Sequence, residues 1–180
     1  MTANDADLGA AYLANVSTVL AKIKQLGERA IAQLSDEAHF YALLDKESNS
    51  IAVLIRHLRG NMLSRWTDFL TTDGEKETRK RDTEFVQEVI ATPDELVAVW
   101  NEGWDRLFGT LSSLTPADLQ KTVTIRGVEH TVMEAIQREL AHYASHVGQI
   151  VFLAKHLVSD EWESLSIPRG QSEKFFRPKN

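Results

Sequence analysis

The sequence predicts an all-α protein, a four-helix bundle with a short β-hairpin before its last long helix. Three observations carry that prediction. Apolar residues recur at spacings of three and four in four separate stretches, two capping boxes mark helix starts, and one short run changes to a period of two. Four amphipathic stripes are hidden most simply by facing one another. At 180 residues the chain can bury one sizeable core but is short for two, so residues 1–165 are expected to form the bundle and 166–180 an extended tail.

The first helix is read from Leu8, Tyr12, Val16, Val19, Ile23, Leu26, Ala30 and Leu34. After a connection from Ser35 to Asn49, a second helix over Ser50 to Leu70 follows from Ile51, Leu54, Ile55, Leu58, Met62, Trp66 and Phe69. Nine of the twelve residues from Asp73 to Glu84 are then charged, with signs that nearly cancel. That composition suits a solvated loop or a flap over a site. Thr92, Pro93 and Glu95 open the third helix as N-cap, first residue and capping-box partner, and Leu96, Val99, Trp100, Leu107, Leu111 and Leu114 give its apolar line. Trp100 and Trp104 are expected to anchor the core and its rim.

From Lys121 to Thr131 the run TVTI-RG-VEHT predicts the hairpin, turning at Arg126-Gly127. Thr131 and Glu134 form the second capping box, and Ile136, Leu140, Tyr143, Val147, Ile150 or Val151, and Ala154 face the core from the last helix. The tail SIPRGQSEKFFRPKN, with two prolines and a basic, aromatic end, is expected to lie extended over the bundle or to fray.

Composition removes several function classes. A net charge of −6 and a pI near 5.5 leave no basic footprint for nucleic acid. Without cysteine the chain has no disulfide, thiolate ligand or cysteine nucleophile, so thiol chemistry would need a borrowed thiol. The acidic start MTANDADLGA does not resemble a secretory signal, and no apolar run approaches the ~18 residues that span a bilayer. A soluble cytoplasmic protein is expected, bound to neither membrane nor nucleic acid.

The segment RELAHYASHVGQ sets His142 and His146 four residues apart, within about 40° on a helix, so both can address one ion. Spacing alone does not establish a site, because six histidines in such a chain give about 0.2 such pairs by chance. A catalytic zinc-like site needs a third protein ligand. His57, in the middle of the second helix and beside its apolar stripe, is the candidate; His39, His130 and His156 read as surface or capping residues. Asn61, Arg65 and Asp68 continue the line of His57. They form either an exposed polar edge or the surroundings of a site, in which Arg65 fixes an anionic group and Asn61 or Glu139 supports an imidazole.

The motifs IRHLRGNM, RWTDFLTTDGEK, TVTIRGVEHTVMEA and HYASHVGQI, in this order and spacing, resemble a bacterial family within the DinB-like, YfiT-like superfamily, from the first helix through SIPRGQ. The resemblance implies a DinB-like four-helix bundle holding a divalent metal on His57, His142 and His146. Zinc or nickel is the expected ion, with manganese or iron as alternatives. The resemblance says less about the reaction; the favoured reading is an enzyme that presents a low-molecular-weight thiol to a small electrophile, as S-transferases of that superfamily do, with Arg65 and Glu139, from the residues themselves, as catalytic candidates and Asn61 as a cofactor-binding one. A metal-dependent hydrolase, with Glu139 relaying a proton, and a non-catalytic metal- or ligand-binding protein stay open. The expected partners are a small-molecule substrate, the thiol and a second copy of the chain as a homodimer.

Overall fold

The computed structural model describes residues 3–88 and 91–175. In chain order these form α1 (Ala3–Ile31), α2 (Ala38–Tyr41), α3 (Ile51–Trp66), α4 (Pro93–Ser113), β1 (Thr122–Ile125), β2 (Val128–Thr131) and α5 (Val132–Val158). Short 3₁₀ turns lie at Arg81–Phe85, Pro116–Asp118, Ser159–Glu161 and Ser172–Phe175. The protein is mostly helical, and its two-stranded antiparallel hairpin precedes the last long helix. No helix of the described residues is long and apolar enough to cross a membrane.

Helix starts follow side-chain chemistry. The Glu95 amide donates to Thr92 Oγ1 at 3.3 Å and the Thr92 amide to Glu95 Oε2 at 2.7 Å, which satisfies two otherwise unpaired N–H groups at the start of α4. Thr131 and Glu134 repeat the arrangement at α5, and Ser50 accepts from the Val53 amide at α3. α3 ends at Trp66 rather than Leu70, because Thr67 is extended and Asp68 takes a left-handed φ of 48°. Past that reversal, Phe69 returns to lie 4.8 Å from the Trp66 ring, and Thr110 on α4 donates to the freed Trp66 carbonyl at 2.7 Å. The predicted connection before α3 also contains one helical turn, α2, around buried Phe40.

α3 packs chiefly against α4, and α1 against α5, with α3 meeting α5 across the site. Twelve of the sixteen residues of α3 are buried, so His57, Asn61 and Arg65 lie in the interior and not on an exposed edge. The core joins Leu54, Ile55, Leu58, Met62 and Trp66 to Leu96, Trp100, Trp104, Leu107, Ile136, Tyr143, Val147 and Ile150. Both tryptophans of α4 are core residues.

α1 presents a slightly different face from the one read in the sequence. Leu8 is 71% exposed and Leu26 is exposed as well, while Leu20, Gly27 and Ile31 turn inward. The reason is Gly27: a Cβ there would lie 2.6 Å from the Trp100 ring, so the missing side chain is what admits Trp100 to α1. Of the predicted tail, residues 166–175 are described and include the Ser172–Phe175 turn; 176–180 lie outside the described residues.

The charged stretch after α3 folds as a strap. The Gly74 amide donates to the Thr124 carbonyl at 2.8 Å, and Ser64 Oγ donates to the Gly74 carbonyl at 2.9 Å. Asp73 Oδ1 accepts from the Arg126 amide at 2.9 Å and Oδ2 from the Gly127 amide at 2.8 Å. Arg126 and Gly127 both have positive φ, 55° and 74°, which is the geometry of a type I′ turn. One carboxylate thus clasps the tip of the hairpin to the strap. The amide of Glu75 donates to Asp73 Oδ1 as well, and these backbone donors hold the Asp73 carboxyl below the usual aspartate range.

Candidate functional site

His57 projects from the middle of α3, and His142 and His146 from successive turns of α5, so all three meet where those helices face each other. Their approach is fixed from below by a buried hydrogen-bond chain. Trp66 Nε1 donates to Tyr143 Oη at 2.8 Å, and Tyr143 Oη donates to Asn61 Oδ1 at 2.8 Å. Asn61 is one turn from His57 and Tyr143 adjoins His142, so this chain sets the register in which the imidazoles meet. An unpaired buried polar group would be costly, which makes that register specific.

The ring nitrogens converge: His142 Nε2 lies 3.2 Å from His57 Nε2 and 3.0 Å from His146 Nε2. Each opposite nitrogen faces an acceptor. His57 Nδ1 is 2.9 Å from Glu84 Oε2, His142 Nδ1 is 3.4 Å from Glu139 Oε2, and His146 Nδ1 is 3.2 Å from Gln149 Oε1. An acceptor at Nδ1 places the proton there and leaves Nε2 with its lone pair. Three lone pairs directed at one another repel unless a cation lies among them. Nitrogens 2.0–2.1 Å from one ion would stand about 3.3 Å apart in a tetrahedral shell and about 3.0 Å apart in a facial octahedral one. The two separations to His142 fall in that range, and all three ligand atoms lie within 4.8 Å of one another, so the cluster could hold a divalent ion and leaves its identity open. Burial, then the neighbouring His142, pushes the His146 imidazole down to about 4, so it stays neutral and able to ligate well into the acid range.

The groups behind the histidines are charged and well matched. Arg79 donates from Nε and Nη2 to the two oxygens of Glu84 at 2.7 and 2.8 Å, and it also contacts Glu75. Burial pushes the Glu84 carboxyl up, but Arg79 and His57 outweigh it and hold Glu84 below the usual range. Phe85 follows with its ring 4.9 Å from that of His57. On the other side Glu139, 2% exposed, accepts from Arg65 Nε at 2.9 Å through Oε1. Glu139 Oε2 has no hydrogen bond and points at His142. Here too burial raises the carboxyl, while His142 and Arg65 together lower it further.

Each residue singled out in the sequence, apart from Asp68, lies at one cavity of roughly 320 Å³, whose wall includes His57, Asn61, Arg65, Glu139, His142 and His146. Asn61 gives its oxygen to Tyr143. Arg65 is 2% exposed, with one arm on Glu139, a looser approach to Glu75 at 4.0 Å, and Nη1 without an acceptor. Asp68 is carried away by the end of α3 and lines grooves elsewhere. The sequence reading missed Glu84, Arg79 and Phe85, and the arginines Arg81, Arg126 and Arg138 of the same cavity wall. Two signals pointed to them: the dense, nearly neutral charge of the strap, and an arginine at a turn position that favours Asn, Asp or Gly.

Fold and site together define a mostly helical protein with a three-histidine cluster, capable of holding a metal ion, between two of its long helices. The family described as Protein of unknown function (DUF1572) matches residues 7–171, a span that contains all three histidines, and the chain belongs to it. No curated protein and no solved structure matches the chain.

Proposed function

We propose that this is a four-helix bundle of the DinB-like type whose His57, His142 and His146 hold one divalent metal ion, zinc or nickel in the first instance. The reading is carried by the convergence of three imidazoles, of which His57 and His146 have Nδ1 hydrogen-bonded to an acceptor on the far side of the ring and His142 has Nδ1 3.4 Å from the Glu139 carboxylate. The resemblance of the IRHLRGNM and HYASHVGQI segments to that superfamily supports it independently.

When bound, the ion supplies an electrophilic position at which a thiol is more easily deprotonated than its free value near 8.5 allows. The chain's own residues then have definable tasks. Glu84 holds the Nδ1 proton of His57 by a hydrogen bond, and the Glu139 carboxylate, 3.4 Å from His142 Nδ1, favours a proton on that nitrogen by its charge. Arg79 and Arg65 keep those carboxylates ionised inside the protein, and Phe85 covers the His57 ring from solvent. The reaction we favour is transfer of a low-molecular-weight thiol to a small electrophile, for which a chain without cysteine must borrow its sulfur. Hydrolysis has less support, because the Glu139 carboxylate is engaged with Arg65 and the Nδ1 side of His142, away from the converging nitrogens.

The test begins with metal content. Protein purified without a histidine tag should carry about one equivalent of a divalent metal. His57→Ala and His146→Ala should each lose it, and His39→Ala should keep it. Equal metal in wild type and His57→Ala would refute the three-histidine centre. In cobalt-substituted protein, addition of a small thiol should produce a sulfur-to-cobalt charge-transfer band, and its absence across a thiol panel would remove the transferase reading while leaving the centre intact.

A further inference from the structure

The same cavity holds a feature that a metal centre does not require. Five of the chain's eleven arginines line it, Arg65, Arg79, Arg81, Arg126 and Arg138, and no lysine does. They come from α3, the strap, the hairpin turn and α5, so no single stretch of sequence accounts for the gathering. It also runs against the whole molecule, whose net charge is −6. Glu139 is the one carboxylate among the described residues of the wall.

The arginines fall into two sets. Arg65 and Arg79 have side chains only 3% and 5% exposed; the Arg79 fork is occupied by Glu84 and Glu75, while Arg65 bonds Glu139 through Nε and keeps Nη1 without an acceptor. Arg81, Arg126 and Arg138 are about half exposed at the mouth, and the ion pairs of Arg81 and Arg138 are loose. Arg126 spends one donor on Glu75 at 3.0 Å, Arg138 lies 3.6 Å from Glu139, and Arg81 covers the Phe85 ring at 4.7 Å with Asp82 4.0 Å away. Arg81 and Arg138 make no side-chain hydrogen bond among the described residues. Exposed pairs of this kind are weak and are readily exchanged for a better partner. Guanidinium groups, unlike ammonium, match carboxylate and phosphate oxygens two at a time.

We propose that the substrate of this site is a small anion bearing a carboxylate or phosphate group, held at the mouth by Arg126 and Arg138 with Arg81 beside them. Its reacting end then reaches toward the three histidines. A volume of roughly 320 Å³ sits at the low end of ligand cavities, which limits the substrate to a small molecule. The proposal rests on the metal-centre reading for what the far end of the substrate meets, but its anion-binding part stands on the arginines alone.

The experiment is calorimetric titration at low ionic strength with inorganic phosphate, with malonate, and with malonamide as a neutral mimic of malonate's shape. Wild type, Arg126→Met, Arg138→Met, the double variant and Arg106→Met, whose side chain lies outside this cavity, are compared, with metal content measured on each. Wild type is expected to bind phosphate or malonate and not malonamide. Each single variant should weaken binding about 10-fold and the double variant about 100-fold, with metal content and Arg106→Met affinity unchanged. Preference for phosphate or for malonate then assigns the headgroup. Wild type that binds neither anion, or that binds malonamide equally, overturns the proposal, as does a double variant with wild-type affinity or an equal loss in Arg106→Met. Should Arg126→Met disturb the hairpin, Arg138→Met on the face of α5 decides alone. A protein that retains no metal refutes the metal centre separately, and the same titrations on that protein still decide whether the arginines bind anions.

Discussion

Gly60 lies beneath the Glu84 carboxylate, where any Cβ would collide with it. Its bare backbone is what lets a carboxylate from the strap reach a histidine in the middle of a buried helix. Glu84→Gln removes the charge that favours the Nδ1-protonated, ligating form of His57. Metal affinity, measured by competition with a chelating dye, should fall about 10- to 100-fold while the helical circular dichroism is unchanged. Gly60→Ala should weaken metal binding in the same direction by pushing Glu84 aside. Affinities within twofold of wild type in both variants would mean that Glu84 serves Arg79 alone. The charge of the strap marked the region but not Glu84 itself: 27 positions separate it from His57, and it is one of nine charged residues between Asp73 and Glu84. The histidine pair was legible because four residues make about one helical turn, whereas pairing across a folded strap follows no period.

At the level of elements, the starts of α4 and α5 were readable from Thr92 and Thr131, because capping is local chemistry between residues three apart, and that of α3 from its apolar spacing. The end of α3 was not, since it depends on Asp68 adopting positive φ, which nothing in WTDFL announces. Nor was the buried face of α1 fully legible. Counting apolar side chains gives no weight to Gly27, yet the fit of Trp100 against that glycine rotates the helix. Gly27→Ala should therefore destabilise the protein although alanine is the better helix former by about 1 kcal/mol. Trp100 is buried and cannot yield freely, and overpacking of this kind costs about 1–3 kcal/mol. A lower urea midpoint than wild type is the expected result; an unchanged or higher one would show that α1 can shift away from Trp100.

For the molecule as a whole, the site and the core are distinct. The tryptophans and aliphatic side chains of α3, α4 and α5 close on one another without help from the histidines, and the Trp66–Tyr143–Asn61 chain is complete within the protein. Chelation should thus leave a folded, cooperatively unfolding protein. Its melting temperature should fall only by the linkage to ion binding, about 2.7 kcal/mol of stability at an ion concentration one hundred times the dissociation constant. Loss of helical signal on adding chelator at 25 °C would instead make the ion part of the fold.

The clasp of Asp73 on the hairpin tip joins two regions that are remote in sequence, so neither can open alone. When the Asp73 carboxylate lets go, the Arg126 and Gly127 amides lose their acceptors together, and the Gly74 amide bonded to Thr124 is released with them. In native-state hydrogen exchange these three amides should behave as one cooperative unit with a common opening free energy. Because the strap carries Glu84 to His57, occupation of the histidine centre should slow exchange at all three, and the tip of a hairpin becomes a reporter of whether the protein is loaded.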